Sequence, residues 1–404
     1  MADHLRALGL DEVRTGIAGH GVVGVLRGSA APGGADVLSG GEQVGASGGG
    51  RRVVALRADM DALPVKDLCG ADFASEVVDA GYPGGPFPVS HACGHDCHTA
   101  MLMGAATVLA GVRDRLPGTV LFVFQPAEEG PPVTEEGGAR AMVEAGAFAD
   151  PVPTMAFGLH VTPYPKGYVG YRVGNQYGAS TLVRIVVTGK QVHGSTPWEG
   201  IDPMPAVGAV LTGIGQLYRQ VSAFDPVTVT IGHVEDVGRF NIIGQKVTLW
   251  GTVRCAVESD MAEVRRRLTT LVEHSAAAYG ATATVEYLQS VPPVHNSGPW
   301  VEAALPALRR VAGERVVETG ATLGYDDVSE LVGRFGGLYV MLGVQDATLD
   351  ASGRPVPVEG GRGLVTNHNP HFYADDDTLV TGVRLHAHVA YDHLTGALVA
   401  RRDV

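Results

Sequence analysis

Apolar positions toward the start of the chain come in short, nearly unbroken runs: Val22–Leu26, Val53–Leu56, Gly118–Phe124 and Met155–Leu159. Runs of this length without alternation read as strands covered on both faces, as in a parallel sheet between helices. Thr99–Leu109, apolar on nearly all sides, and Ala139–Ala145 read as helices between them. Strand and helix in turn imply α/β layering.

The middle of the chain has a different rhythm. Thr181–Thr188 alternates apolar and polar residues, Pro205–Gln220 has a helical period, and Val227–Gly232 and Val247–Val253 read as strands. Asp260–Tyr279 is a charged amphipathic helix with an acidic residue near its start, where the helix dipole favours one. Ala283–Leu288 closes the series as a strand. The order β-α-β-β-α-β is the ferredoxin-like unit. A helix near 300–312, a strand at Gly337–Leu342 and a helix at Leu379–Leu394 then return to the first rhythm. The expected fold is α/β with two domains: residues 1–177 and 291–404 form one, and an inserted ferredoxin-like (βαββαβ) domain occupies 178–290. Two stretches lack any apolar period. The small-residue run at 28–50 reads as a mobile hairpin tip, and the Pro- and Gly-rich run at 346–363 as a loose loop.

Composition narrows the partners. The 404 residues carry a net charge of −13 with no dense Lys or Arg run, which argues against nucleic acid. Gly accounts for 56 residues without a collagen period. No apolar run reaches the roughly 18–20 residues that span a bilayer, and MADHLRALGL lacks the features of a signal peptide. Four Cys do not make a disulfide framework. The expectation is a soluble cytoplasmic protein that binds neither membrane nor nucleic acid.

Candidate chemistry concentrates in His91-Ala-Cys93-Gly-His95-Asp96-Cys97-His98. Six of these eight residues could bind a metal, and Gly94 permits the irregular backbone that aims Cys93 and His95 at one centre. Thiolate with imidazole suits Zn²⁺, with other divalent ions open. A structural zinc site would show two ligand pairs, and the chain has no CxxC…CxxC. Glu128-Glu129 directly follows an apolar strand. One carboxylate can bind metal while the other takes a proton from water, although an isolated Glu pair also reads as solvated surface. His160 ends another strand, where a lone His is more often a satisfied core residue, and His368 in His-Asn-Pro-His is as weak a signal alone. Asp59 and Asp61 also follow a strand and are placed to orient a ligating His or to cap the next segment.

RADMDALPV, HACGHDCHTAML, FQPAEEG, GLHV, NIIG, GTVR and HNPHF occur in this order from Gly21 to about Leu394. Together they resemble the M20 metallopeptidase superfamily, in its amidohydrolase branch of aminoacylase, hippurate hydrolase and auxin-conjugate hydrolase relatives. The resemblance implies a catalytic domain with an inserted lid and dimerisation domain. It implies two divalent metal ions, Zn²⁺ or Mn²⁺ before Co²⁺ or Ni²⁺, held by Cys93, His95, Glu129, His160 and His368, with Glu128 as general base. His193 corresponds to a lid histidine that reaches a neighbouring subunit's site in a homodimer or homotetramer. Asn241 corresponds to a substrate-contacting lid residue, and Arg254 is matched to a substrate carboxylate. The implied reaction is hydrolysis of N-acyl amino acids. A dipeptidase or aminopeptidase of the same superfamily is the nearest alternative, and a non-catalytic metal-binding module is another, which Glu128 beside Glu129 disfavours. ADHLRALGL stands where the family's opening helix ends. Cys97 replaces a residue that is usually small and is a candidate for oxidation. Gly244 and Gly324-Tyr325-Asp326-Asp327 depart from the family pattern near substrate-facing positions.

Overall fold

The computed structural model describes residues 1–31, 51–82, 84–131, 135 and 137–400. Residues 32–50 of the expected hairpin tip lie outside the described residues. The chain divides into two compact units. The first comprises Met1–Gln176, His295–Gly320 and Asp327–Val404; the second comprises Tyr177–Val294 and Ala321–Asp326. The short return at 321–326 was not part of the insertion expected at 178–290, because nothing in its composition separates it from its neighbours.

The first unit opens with helix α1 (Ala2–Ala7) and strands β1 (Glu12–Ile17), β2 (Gly21–Arg27) and β3 (Val53–Asp59). Helix α2 (His95–Gly111), strand β4 (Thr119–Gln125), helix α3 (Gly138–Glu144) and strands β5 (Met155–Pro165) and β6 (Val169–Tyr171) follow. The second unit contributes β7 (Ala179–Thr188), α4 (Met204–Leu217), β8 (Val227–Asp236), β9 (Lys246–Cys255), α5 (Glu258–Ala278) and β10 (Thr282–Val291). The chain returns through α6 (Gly298–Ala312), β11 (Val316–Glu318), α7 (Ser329–Phe335), β12 (Gly337–Gln345) and α8 (Leu379–Thr395).

Eight strands form the first unit's sheet, in the order β1-β2-β4-β3-β5-β12-β6-β11. β2, whose run Val22–Leu26 also read as a covered parallel strand, pairs antiparallel with both β1 and β4, whereas the central neighbours β4-β3-β5-β12 are parallel. They are buried along nearly their whole length because helices cover both faces. β1 escaped the apolar pattern because it is an antiparallel edge strand whose residues are only half-buried or exposed. The run at 346–363 is not wholly loose: Ala347–Leu349 pairs with Pro355–Pro357. In the second unit the order β8-β9-β7-β10 is fully antiparallel, with its own core of Val183, Ile185, Val210, Leu249, Leu268 and Val272. Among the described residues no helix is long and apolar enough to cross a membrane.

Helix α8 buries two histidines against the sheet. His386 stands edge-on to Phe157, ring centroids 5.2 Å apart, and neither of its nitrogens has a hydrogen-bond partner among the described residues. Burial, with His98 nearby, pushes His386 down to about 3; burial likewise brings His393 to about 4. Both rings are neutral in the fold, whereas the unfolded chain protonates them near 6.5. Their contribution is fully present above that value and is lost as pH falls from it toward the folded values. Each ring costs about 1.4 kcal/mol per pH unit in this window. Denaturant-measured stability should therefore drop by about 2 kcal/mol from pH 6 to pH 5 on their account. His386→Leu should remove about half of that slope; an unchanged slope would refute the assignment.

Candidate metal centre

The ends of the parallel strands assemble this site, where an open α/β sheet collects its ligands. β3 ends in Asp59 and leads to Asp61. β4 ends in Gln125 and leads through Pro126 and Ala127 to Glu128 and Glu129. β5 carries His160, and α2 begins at His95. Gly94 precedes α2 at φ +86°, and a Cβ there would lie 2.3 Å from Val161 Cγ2, so no other residue fits without displacement. Two of the four described non-glycine residues with left-handed backbone angles lie here, Ala127 at φ 54° and His368 at φ 67°. One precedes Glu128 and the other is itself a ligand candidate. Strain held at such positions is characteristic of functional sites.

Hydrogen bonds assign the imidazole tautomers. His95 Nδ1 lies 3.0 Å from the Asp61 carbonyl and must donate to it, so Nε2 is the nitrogen available to an ion. That Nε2 is buried without a hydrogen-bond partner. His160 Nδ1 donates to the Val161 carbonyl at 2.6 Å, and its Nε2 sits 3.4 Å from Cys93 Sγ. His368 Nε2 lies 2.9 Å from Glu129 Oε1, without the alignment of a hydrogen bond. Glu129 is steadied by its own backbone N–H, which donates to Asp61 Oδ2 at 3.0 Å. Ligand atoms of Cys93, His95 and His160 lie within 4.8 Å of one another, as do those of Cys93, Glu129 and His368. Glu128 is buried beside them, its Oε2 3.9 Å from His95 Nε2.

The five proposed ligands and Glu128 therefore converge within the first unit. His95 Nε2, Glu129 Oε1 and Asp61 Oδ1 are all buried without a hydrogen bond among the described residues. Leaving such atoms unpaired is costly, and cations between them would remove that cost. Electrostatics agree. Burial, then the charges of Glu129, Glu128 and Asp59, push the Cys93 thiol far above its ordinary range; a thiol so placed ionises readily only beside a cation. Burial opposes charge on His95, but Asp59 and Asp61 outweigh it and raise the ring to about 9. Burial, then His98, pull His160 well below its ordinary value, which leaves the ring neutral as a ligand candidate.

Cys97 is different. It packs in the core with its thiol pushed up by burial and then by Asp96 and Asp376. A buried protonated thiol is a poor nucleophile, so the expected oxidation is disfavoured.

The other three candidates belong to the second unit. His193 lies on a short strand, Val192–His193, paired with Ile242–Ile243, and Gly194 donates its N–H to the Asn241 carbonyl, so His193 and Asn241 are neighbours. Ser195 donates its backbone N–H to His193 Nδ1 at 3.0 Å, which leaves the ring proton on Nε2. Arg254 lies near the end of β9. It donates to the Leu323 carbonyl at 3.0 Å and lies over the Tyr325 ring at 5.0 Å.

Reading along the chain missed a buried charge network behind the candidate ligands. Arg57, 1% exposed, donates to Asp59 Oδ2 at 2.6 Å, Gln125 Oε1 at 2.9 Å and Asp327 Oδ1 at 3.1 Å. Asp327 also accepts from the Gln125 side chain and the Ala139 N–H. The available signal was an arginine inside the apolar run VVALRAD, which a buried strand tolerates only when it is paired.

Residues 55–392 match the profile of Peptidase family M20/M25/M40. The chain belongs to the M20 family. It is a metal-dependent hydrolase of amide bonds. Thermostable carboxypeptidase 2 of Saccharolobus solfataricus is 32% identical over 394 residues, 96% of this chain and 88% of that protein. N-acetylcysteine deacetylase of Bacillus subtilis is 31% identical over 340 residues, 84% of this chain and 80% of that protein. IAA-amino acid hydrolase ILR1-like 4 of Arabidopsis thaliana is 32% identical over 348 residues, 84% of this chain and 73% of that protein. Among solved structures, the YXEP protein of Bacillus subtilis, described as a dinuclear metal binding peptidase from the M20 family, superposes with a TM-score of 0.69. It is 27% identical and covers 97% of this chain and 90% of its own.

Proposed function

We propose that this M20 hydrolase cleaves the amide bond of N-acyl amino acids with two divalent cations. Cys93, His95 and His160 would hold one, and Cys93, Glu129 and His368 the other. The carrying observation is Glu128: a buried carboxylate beside the ligand Glu129, close to His95 Nε2 and suited to proton transfer. When bound, the cations supply Lewis acidity, which makes an attacking water more acidic and takes up the negative charge that develops on the amide oxygen. Glu128 accepts the water's proton and returns it to the leaving nitrogen. His193, with its proton on Nε2, is a ready donor to the scissile carbonyl, contributed by a neighbouring copy in a cytoplasmic homodimer or homotetramer. Asn241 beside it contacts substrate, and the Arg254 guanidinium pairs with the substrate carboxylate.

The thiolate and imidazoles of the buried ligand set favour Zn²⁺; Mn²⁺, Co²⁺ and Ni²⁺ are tested beside it. Relatives named as an N-acetylcysteine deacetylase and as IAA-amino acid hydrolases support acylated amino acids as the substrate class. The carboxypeptidase relative, which matches 96% of this chain, favours peptides as the second reading. Amine release from a panel of N-acyl amino acids and dipeptides, using protein reconstituted with each metal, separates the two. Metal-dependent release from acyl substrates is expected; release from dipeptides alone would replace this reading with the second.

The two ligand sets should load unequally. Cys93, His95 and His160 are all buried, whereas the His368 side chain is 53% exposed. A chelator should strip the ion on Glu129 and His368 first. Metal analysis during chelator titration should show a plateau at one ion per chain, and loss of both ions in a single step would contradict this inequivalence.

A further inference from the structure

We propose that His98 is a positioning residue of the metal centre, whose imidazole pins the strand bearing His160 and ties it to the Arg57–Asp59 pair. The proposal rests on His95 and His160 being ligands. His98, with Asp59 and His95, forms a third group of possible ligand atoms within 4.8 Å. Its hydrogen bonds assign it another task. Its Nε2 accepts the Val161 N–H at 2.8 Å, so its proton is on Nδ1, which donates to Asp59 Oδ1. Both nitrogens are engaged, and neither is left for an ion.

The strand pairing explains why a side chain is needed here. β3 and β5 pair from Val54 with Met155 as far as Arg57 with Gly158. β3 ends at Asp59, whereas β5 runs on through His160 to Pro165. Past the end of that ladder, the Val161 N–H lacks a strand carbonyl on this side, and His98 Nε2 takes it. The same residue's carbonyl accepts the Nδ1 proton of His160. Fixing Val161 therefore fixes the group that sets the His160 tautomer and ring direction. The His98 ring also packs on both ligand rings, at 4.6 Å from His160 and 5.4 Å from His95 between centroids. On its other side Asp59 is wholly buried and held by Arg57 at 2.6 Å. A continuous path, Arg57–Asp59–His98–Val161–His160, thus connects the core to a ligand. Partners that orient ligating histidines typically govern metal affinity by about 10–100-fold.

The test measures zinc affinity by chelator competition, and the electronic spectrum of the cobalt(II)-substituted full chain, in His98→Phe, His98→Gln and His98→Asn. Phe preserves the ring shape and loses both hydrogen bonds. Gln can keep an acceptor for Val161, and Asn a donor to Asp59. His98→Phe should bind zinc about 10–100-fold more weakly and change the cobalt spectrum, with Gln restoring more than Asn. A folded His98→Phe protein with wild-type zinc affinity and cobalt spectrum, its effect confined to melting temperature, would overturn the proposal. If the Phe variant does not fold, wild-type affinity in both Gln and Asn variants would overturn it instead. Wild-type protein that binds zinc here but hydrolyses no acyl amino acid would remove the substrate reading and leave this one standing. Zinc affinity unaffected by His95→Ala and His160→Ala would remove the ligand assignment and this proposal with it.

Discussion

Glu128→Gln is expected to lower turnover by about 10²–10⁴-fold while both metal ions stay bound. The amide is nearly isosteric with the carboxylate, so the buried pocket stays filled, yet it cannot accept a proton from water at neutral pH. Glu129→Gln should behave differently, because Glu129 lies within ligand distance of Cys93 and His368 and its loss weakens the ion shared with them. The contrast is read by metal analysis together with single-turnover hydrolysis. Glu128→Gln should retain two ions with little chemistry, and Glu129→Gln should lose an ion. Full activity in a metal-loaded Glu128→Gln protein would end the general-base assignment.

Arg57→Met should destabilise the fold by about 3–5 kcal/mol, the usual consequence of removing one partner from a buried ion pair. Two carboxylates depend on this guanidinium: Asp59, fully buried, and Asp327, 6% exposed. Burial by itself would raise the Asp59 pKa, but Arg57, with His95 and His98, outweighs it and holds the carboxyl well below its ordinary value. With Met in place of Arg57, Asp59 and Asp327 must become protonated or draw in water. Arg57→Lys restores a charge without the planar fork that reaches Asp59, Gln125 and Asp327 together, so it should recover only part of the loss. Denaturant unfolding at constant pH and metal content measures the difference. A loss below about 1 kcal/mol would mean that water already screens these carboxylates.

The legible parts of this protein share one physical property: their partners are close along the chain. Strands β3, β4, β5 and β12 are covered on both faces, and burial on both faces leaves a continuous apolar run. Cys93 and His95 stand two residues apart, so their convergence needs only the irregular backbone that Gly94 supplies. Glu128 and Glu129 were readable as a divided pair because an apolar strand ends just before them. His160 and His368 carried no comparable local signal, and only the motif resemblance singled them out.

Other features depend on which distant segments meet. β1 and β11 are sheet edges, half exposed, and keep no clean apolar period. Arg57 and Asp327 lie 270 residues apart, and neither neighbourhood announces the other. Residues 321–326 join the second unit although the surrounding chain belongs to the first. His98 was visible as one more possible ligand within a dense motif. Its role as a support follows from β3 ending at Asp59 while β5 continues past His160, which leaves one backbone N–H for the imidazole to accept. Hydrophobic period and ligand spacing are local quantities and are written along the chain. The pairing of buried charges and the completion of strand edges are set by topology, because each requires a partner that only the folded chain brings within hydrogen-bond reach.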